Sequence, residues 1–181
     1  MKRLAVLVLM LASVAVNSAG AQTAAAPATT LKSILLEQLR TTHKEKDWFV
    51  PPSLAVDGLT AEQASWKDGS GNHSIGQLTA HLVFWNEQTL SKLKGQKPAA
   101  YSGNNDETFN NFDAAKWAAT VQALDAVMSE LEHIVEGADD QALGKMASTI
   151  AHIGTHNAYH TGQILYVRKM KGWWDPEKGV K

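Results

Sequence analysis

Residues 151–163 read AHIGTHNAYHTGQ, in which histidines recur at every fourth position, at 152, 156 and 160. Residues four apart lie above one another on a helix, about 6 Å apart, so either adjacent pair can chelate one ion from a single face. The outer two histidines are about 12 Å apart at a rise of about 1.5 Å per residue, which is too far to share an ion. The stretch therefore predicts a helix that carries a metal-binding pair of histidines.

An apolar stripe on the same helix decides between the two pairs. Five apolar residues share one face: Met146, Ile150, Ile153, Ile164 and Val167. At about 100° per residue, the centre of this stripe lies closest to His160, with His156 about 40° further round and His152 further still. We therefore predict that His156 and His160 are the buried pair. His152 is interpreted as a partly solvated histidine or a hydrogen-bonding partner of the site.

A third ligand is expected from another helix, because two imidazoles make a weak site and catalytic zinc-type centres use three protein ligands plus a water. Residues 74–85 read SIGQLTAHLVFW and begin with a Ser-x-x-Gln capping box. His81 lies beside the apolar stripe of this second helix and is predicted as the third ligand. His73, ahead of the cap, is a looser candidate, and His43 and His133 are interpreted as solvated surface residues.

The wider pattern predicts an all-α fold, a four-helix bundle, because four segments show apolar residues at helical spacing and no segment shows a convincing strand pattern. The predicted helices run from near Thr30 to about Asp47, from Ser74 to near Gly95, from a cap at Asp113 to Gly137, and from about Lys145 to Lys171.

The connections between these helices carry their own signals. Pro51 and Pro52 enforce a break after the first helix. Thr60 and Gln63 can form a capping box, which predicts a short helical turn. The stretch from Ala99 to Asn111 contains a glycine and four asparagines and is predicted to be a long polar loop.

The first residues, MKRLAVLVLMLASVAVNSAGAQ, have the layout of a secretory signal: two basic residues, an apolar run and then small residues. Cleavage is expected after Ala21. The expected organisation is a signal peptide (1–21), a flexible leader (22–30), one bundle domain (31–174) and a C-terminal tail (175–181). This pattern predicts a periplasmic or secreted protein with no membrane association after signal cleavage.

The composition restricts the chemistry further. None of the 181 residues is a cysteine, which excludes disulfides, thiolate ligands and an acylated anchor, so a metal site must use His, Asp or Glu. The formal net charge is −1 and the basic residues are scattered, so there is no electrostatic footprint for nucleic acid. The expected partner is a small-molecule substrate of unknown identity.

The pairing of SIGQLTAHLVFW (74–85) with THNAYHTGQILYVR (155–168) resembles the DinB/YfiT-like superfamily of metalloenzymes, over nearly the whole chain after the signal. The resemblance implies a four-helix bundle that binds a divalent metal through one histidine of the second helix and an HxxxH pair of the last. Matched position by position, these are His81, His156 and His160. Zinc or nickel is the implied ion, with iron or manganese as alternatives, and pairing through bundle faces implies a possible homodimer.

The reaction is less restricted than the site. Three neutral imidazoles leave an ion its full charge, which acidifies a bound water and favours hydrolysis. The residues between His156 and His160 include no glutamate of the HExxH kind, which excludes a zincin-type protease. Gln163 could hydrogen-bond a ligand or water near the ion, Tyr159 is interpreted as a packing or surface residue, and Trp85 as core or a pocket wall.

Three functions remain open from the sequence. The first is an exported metal-dependent hydrolase that acts on a small substrate. The second is a non-catalytic bundle protein that binds a metal or another ligand. The third, a thiol-dependent transferase, follows from the resemblance, because members of that superfamily act with small cytosolic thiols. Export would separate the protein from those thiols, so the transferase has less support.

Overall fold

A computed structural model describes residues 28–180, and within them the chain is all-helical, with no strand. The α-helices are α1 (Leu31–Thr41), α2 (Pro52–Val56), α3 (Ala61–Ser65), α4 (Ile75–Leu93), α5 (Trp117–Gly137) and α6 (Asp140–Met170), and 3₁₀ segments span Asn105–Asn111, Ala114–Lys116 and Pro176–Lys178. The predicted signal peptide (1–21) and residues 22–27 of the predicted leader lie outside the described residues. None of the helices within 28–180 is long and apolar enough to cross a membrane.

The four long helices form the predicted bundle. Helix α4 packs against both α5 and α6, and α1 also packs against both, so each helix has two long neighbours. The short helices α2 and α3 close one end, where α2 contacts α6 and α3 contacts α4. Because a helix buries its apolar stripe only against another element, this closed arrangement gives all four stripes a partner.

Local capping signals place the ends of several helices where the sequence predicts them. Both predicted capping boxes are present, with the hydroxyls of Thr60 and Ser74 accepting from the backbone N–H groups of Gln63 and Gln77. Gly172 follows α6 with a φ of 67°, in the left-handed region that glycine adopts without strain. These ends need no tertiary contact, which is why the sequence alone identifies them.

Helix α1 ends at Thr41, and the prediction of an end near Asp47 is wrong. The hydroxyl of Thr42 donates to the carbonyl oxygen of Gln38 at 2.6 Å, and the next residue, His43, leaves the helix to enter the α1–α5 interface. A polar contact across the bundle therefore ends this helix, and a local pattern does not contain that information.

The prediction that His43 is a solvated surface residue is also wrong. His43 is fully buried, with Nδ1 2.6 Å from a carboxylate oxygen of Glu132 and Nε2 2.9 Å from one of Asp125. Both carboxylates come from α5, more than 80 residues further along the chain. His133 has an exposed side chain, as predicted.

The remaining corrections concern the third and fourth long helices. Helix α6 begins at Asp140 rather than near Lys145, because the side chain of Asp139 accepts from the backbone N–H of Ala142. Asp113 caps the three-residue 3₁₀ turn that precedes α5, and α5 itself begins at Trp117. The predicted polar loop contains the longer 3₁₀ segment, Asn105–Asn111.

A buried arginine of α6 fastens the short helix α2 to the bundle. The guanidinium of Arg168 donates to the carbonyl oxygen of Ala55 at 2.7 Å, of Asp57 at 3.0 Å and of Trp173 at 3.0 Å. Burial lowers the pKa of this group. The last carbonyl oxygens of a helix have no intrahelical partner, and α2 has only five residues. The guanidinium donates to such oxygens at the end of α2 and just beyond it.

The apolar core consists of two clusters, and the predicted site lies between them. One cluster includes Leu82 of α4 and Ile153 of α6, whereas the other includes Leu78 and Ile164 of the same two helices. His81 and the HxxxH pair fall between these positions on α4 and α6. Apolar packing on both sides holds the two helices at a fixed separation where the histidines meet.

Candidate metal centre

Three histidines from two helices converge between α4 and α6. The ring centroid of His81 lies 5.1 Å from that of His156 and 4.7 Å from that of His160, and the last two centroids are 4.7 Å apart. One potential ligand atom of each residue lies within 4.8 Å of those of the other two. The structure thus brings together the three residues that the sequence selected, here called the histidine triad.

The spacing of the triad suits one small divalent ion. Bonds of about 2.1 Å to three nitrogens of a tetrahedral site place those nitrogens about 3.4 Å apart. The Nε2 atoms of His81 and His156 are 3.1 Å apart, and all three ligand atoms lie within 4.8 Å of each other. Small side-chain adjustments would complete such a site, and imidazole nitrogen suits zinc, nickel, copper and iron.

Thr108 determines which nitrogen of His81 is free. The Thr108 hydroxyl lies 2.7 Å from the carbonyl oxygen of Asn105 and 2.5 Å from Nδ1 of His81. Because the hydroxyl donates its single proton to the carbonyl, it must accept from the Nδ1–H of His81. The Nε2 lone pair of His81, which faces His156, is therefore available to a metal ion.

Gln163 fixes His160 in the same way. Nδ1 of His160 lies 2.6 Å from Oε1 of Gln163, and an amide oxygen only accepts, so this Nδ1 carries the proton. The amide nitrogen of Gln163 in turn donates to the hydroxyl of Tyr159 at 3.4 Å. The sequence suggested that Gln163 could hydrogen-bond a ligand or water near the ion; in the structure Gln163 accepts from the His160 ring, whose Nε2 remains free.

His156 is the least constrained member of the triad. Its Nε2 lies 3.1 Å from Nε2 of His81, which carries no proton, so His156 donates this hydrogen bond from its own Nε2–H. To bind an ion through Nε2, His156 must move that proton to Nδ1 or release it. Each triad histidine would then present an unprotonated nitrogen to one shared point.

The environment keeps the triad uncharged at neutral pH. Burial lowers the pKa of His81 to about 3, and the nearby His160 and His156 rings add to the effect. Burial, followed by the His160 ring, lowers the pKa of His156 to about 4. The pKa of His160 is also lowered, chiefly by burial, although its bond to Gln163 opposes the shift. Neutral imidazoles are the form that binds metals.

A stack of three aromatic rings supports the His81 side of the site. The Phe109 ring lies between those of His73 and His81, at 3.7 and 3.9 Å between centroids, and is parallel to both within 3°. Phe109 and Thr108 both belong to the 3₁₀ segment Asn105–Asn111, so this segment orients His81 through a face contact and a hydrogen bond. His73 is thus placed against Phe109 rather than in the triad.

An open cavity of about 760 Å³ adjoins the triad between α4, α6 and the 3₁₀ segment. Trp85 forms part of its wall and donates from Nε1 to the side-chain oxygen of Asn105 at 3.2 Å. Tyr159, interpreted from the sequence as a packing or surface residue, is exposed and also lines the cavity. His152 also lines it and is exposed. The cavity therefore gives a small molecule access to the triad.

Beside the triad, a buried amide pair ties α4 to α6. The amide nitrogen of Asn86 donates to Oδ1 of Asn157 at 3.0 Å, and the two side chains are almost completely buried. Asn157 also directs its amide nitrogen at the Met128 sulfur, at 3.2 Å. Since buried amides are costly when unpaired, this pair favours one register of the two helices that carry the triad.

Comparison with known families agrees with this geometry. A family model described as the DinB superfamily matches residues 53–164, more than half of the chain, and the match includes all three triad histidines. No curated protein and no solved structure matches the chain significantly.

Proposed function

The chain belongs to the DinB superfamily, and from that membership and the histidine triad we propose that it binds one divalent metal ion on His81, His156 and His160. We further propose that the protein is an exported metal-dependent hydrolase that acts on a small substrate. The observation that carries the proposal is the convergence of three neutral imidazoles from two helices, with ligand atoms within 4.8 Å of each other.

The hydrogen bonds around the triad support a metal site over a buried polar cluster. Thr108 and Gln163 both accept from Nδ1 of a triad histidine, which leaves the two Nε2 atoms free on the inner side. Metal-binding histidines commonly donate their second N–H in this way, since it fixes the ring and raises the basicity of the ligand nitrogen. Histidines that only pack in a core do not need to direct Nδ1 outward and Nε2 toward one shared point.

Hydrolysis is the reaction that this donor set favours. A divalent ion held by three neutral ligands lowers the pKa of water and polarises a carbonyl or phosphoryl group. Among residues 28–180, the group that could hold an ion consists of the three histidines, with no fourth ligand side chain, and the cavity gives solvent access to it. Three cavity residues outside the triad can accept a proton: His73, Asp106 and His152.

The metal site is tested by measuring metal per chain with plasma mass spectrometry. We expect about one ion per chain in the wild type and a large loss in His81→Ala, His156→Ala and His160→Ala. His152→Ala is the matched control, because this histidine lies on the same helix and lines the same cavity, and it should keep its metal. Undiminished metal in all three triad variants would exclude the site.

The enzymatic part of the proposal has a separate test. Cobalt-substituted protein should show an absorption spectrum that changes when azide or another small anion is added, because an open coordination position exchanges its ligand. A spectrum that no anion perturbs would mean a closed site, and it would favour the non-catalytic alternative. With an open site, His73→Gln, Asp106→Asn and His152→Gln would identify the proton acceptor by their effect on the pH profile of ester hydrolysis.

Export and partners are part of the proposal as well. The N-terminal pattern of basic, apolar and small residues supports secretion to the periplasm or outside the cell. Cleavage after Ala21 would be detected by N-terminal sequencing of protein taken from a periplasmic extract. A homodimer, which membership in the superfamily suggests, would be detected by sedimentation of the metal-loaded protein.

A further inference from the structure

A second cavity, of about 510 Å³, lies beside the one that adjoins the triad. It is formed between the outer face of α6 and the chain that connects α3 to α4. His73, Tyr159 and Gln163 line both cavities, so the two cavities share a rim. Gln163 at this rim also bonds His160 of the triad, which places the second cavity next to the metal centre.

The walls of the second cavity are largely aromatic and aliphatic. The apolar members are Trp66, Leu78, Tyr159, Tyr166, Val167 and Met170. Tyr166 is 69% exposed and Met170 51% exposed, and both lie on the same side of α6 as Tyr159. Large apolar side chains that border a cavity and remain exposed are typical of a ligand-binding surface.

The charged groups of this cavity leave its apolar surface accessible. The carboxylate of Asp68 is engaged inside its own loop, where it accepts from Ser70 and Asn72. Lys67 contributes one cation to the wall and suits a ligand whose polar end is anionic.

Gly162 contributes no side chain to the wall of the second cavity and so leaves that space open. It lies in the interior of α6, where glycine is less stable than alanine, and it lines the second cavity. A Cβ added at this position would meet no atom within 4 Å, so packing does not require the glycine. Gly154 differs, because a Cβ there would approach the Gln38 side chain to 2.6 Å.

We propose that the second cavity binds the apolar tail of a substrate whose polar head binds at the metal centre. The substrate class is therefore an amphiphilic small molecule, with a carboxylate, carbonyl or similar head and an alkyl or aromatic tail that crosses the rim at Tyr159 and Gln163. This inference rests on the proposed metal site and specifies the kind of molecule that the site accepts.

The test is a series of metal-binding ligands that share one head and differ in tail length. Acetohydroxamate, hexanohydroxamate and decanohydroxamate are titrated into the zinc-loaded protein by calorimetry. Each methylene buried in the cavity should raise the affinity about fourfold, until the tail fills the space. Acetohydroxamate reports on the head alone, since its single methyl group does not reach across the rim.

Gly162→Leu fills the second cavity without touching the triad, and Gly144→Leu is its matched control. Gly144 is also an exposed glycine of α6 with no atom within 4 Å of an added Cβ, and it lines neither cavity. We expect Gly162→Leu to remove the dependence on tail length and to leave acetohydroxamate binding unchanged. Gly144→Leu should match the wild type across the series.

Two results would overturn the inference: equal affinities across the series in the wild type, or a tail-length dependence that survives in Gly162→Leu. The second would place the tail in the cavity beside Trp85 instead. Failure of the proposed function looks different, because acetohydroxamate itself would then not bind. In that case the same hydroxamates are titrated into protein treated with a chelator. An affinity that rises with tail length in the wild type and not in Gly162→Leu supports the apolar cavity. Equal affinities across the series in the wild type refute it.

Discussion

Replacing Thr108 by valine should weaken metal binding without removing any metal ligand. In the wild type, the Thr108 hydroxyl accepts the Nδ1–H of His81, so the ring presents a free Nε2. Valine keeps the shape of the side chain and removes the acceptor. To bind an ion through Nε2, His81 must then carry its proton on an Nδ1 that is buried and has lost this hydrogen-bond partner.

The size of this effect follows from the burial of His81. The residue is 1% exposed, so its N–H finds no water in place of the lost acceptor. An unsatisfied buried donor costs about 1–3 kcal/mol, and loss of an outer hydrogen bond of this kind typically weakens metal affinity about 10–100-fold. We expect Thr108→Val to fall in that range and Thr108→Ser, which keeps the hydroxyl, to stay within about threefold of the wild type.

The assay is a competition titration of zinc against a chromogenic chelator. Thr79→Val is the matched control, because Thr79 is a buried threonine of α4 whose hydroxyl donates to the carbonyl of Ile75 and not to a triad ring. It should leave the affinity unchanged. Wild-type affinity in Thr108→Val, together with loss of binding in His81→Ala, would refute the reasoning that the hydroxyl sets the protonated nitrogen of His81.

Three further predictions concern stability. Arg168→Met should lower the free energy of unfolding in urea by about 2–3 kcal/mol, because the carbonyl oxygens that accept from the guanidinium would lose their donor. An unchanged midpoint would contradict this role. Asn157→Ala should cost about 1–3 kcal/mol in the same assay, since it leaves one N–H of the buried Asn86 amide without its acceptor, and a neutral result would mean that water replaces the bond. Metal-free protein should lose stability as the pH falls from about 6.5 to about 4. The pKa of His81 is about 3 and that of His156 about 4 in the folded protein, whereas the value in the unfolded chain is about 6.5. In this pH range the unfolded chain therefore binds more protons, which favours unfolding. Thermal melts at constant ionic strength measure this trend, and His81→Gln should flatten it; a flat wild-type profile would contradict the burial of neutral histidines.

The parts of the fold that the sequence predicts are those set by local rules. The capping box of Ser74 and Gln77 and the glycine after α6 act within a few residues, so their pattern is complete in the sequence. The triad was also predictable, because a spacing of four places His156 and His160 on one helix face and the apolar stripe gives the direction of that face. Convergence with His81 then required only that α4 and α6 be neighbours.

The missed features depend on contacts between distant parts of the chain. His43 has no local pattern that distinguishes it from a surface histidine, since its burial depends on Glu132 and Asp125 of α5. Thr108 and Phe109 lie in a stretch that is polar overall. A β-branched and an aromatic side chain, Thr108 and Phe109, between acidic residues on one side and asparagines on the other, were a signal that this stretch turns inward. Only the structure shows that they contact His81.

Continuity of α6 has a consequence for which ions the protein can hold. His156 and His160 are fixed to one unbroken helix of 31 residues, so their separation cannot widen without distorting that helix. His81 is likewise fixed to one unbroken helix, α4, of 19 residues, and its ring is held by the Thr108 hydroxyl and by the Phe109 ring. Adaptation to ionic radius must therefore come from rotation of the histidine side chains, and a larger cation such as calcium, which takes about six to eight oxygen ligands, would not fit this donor set.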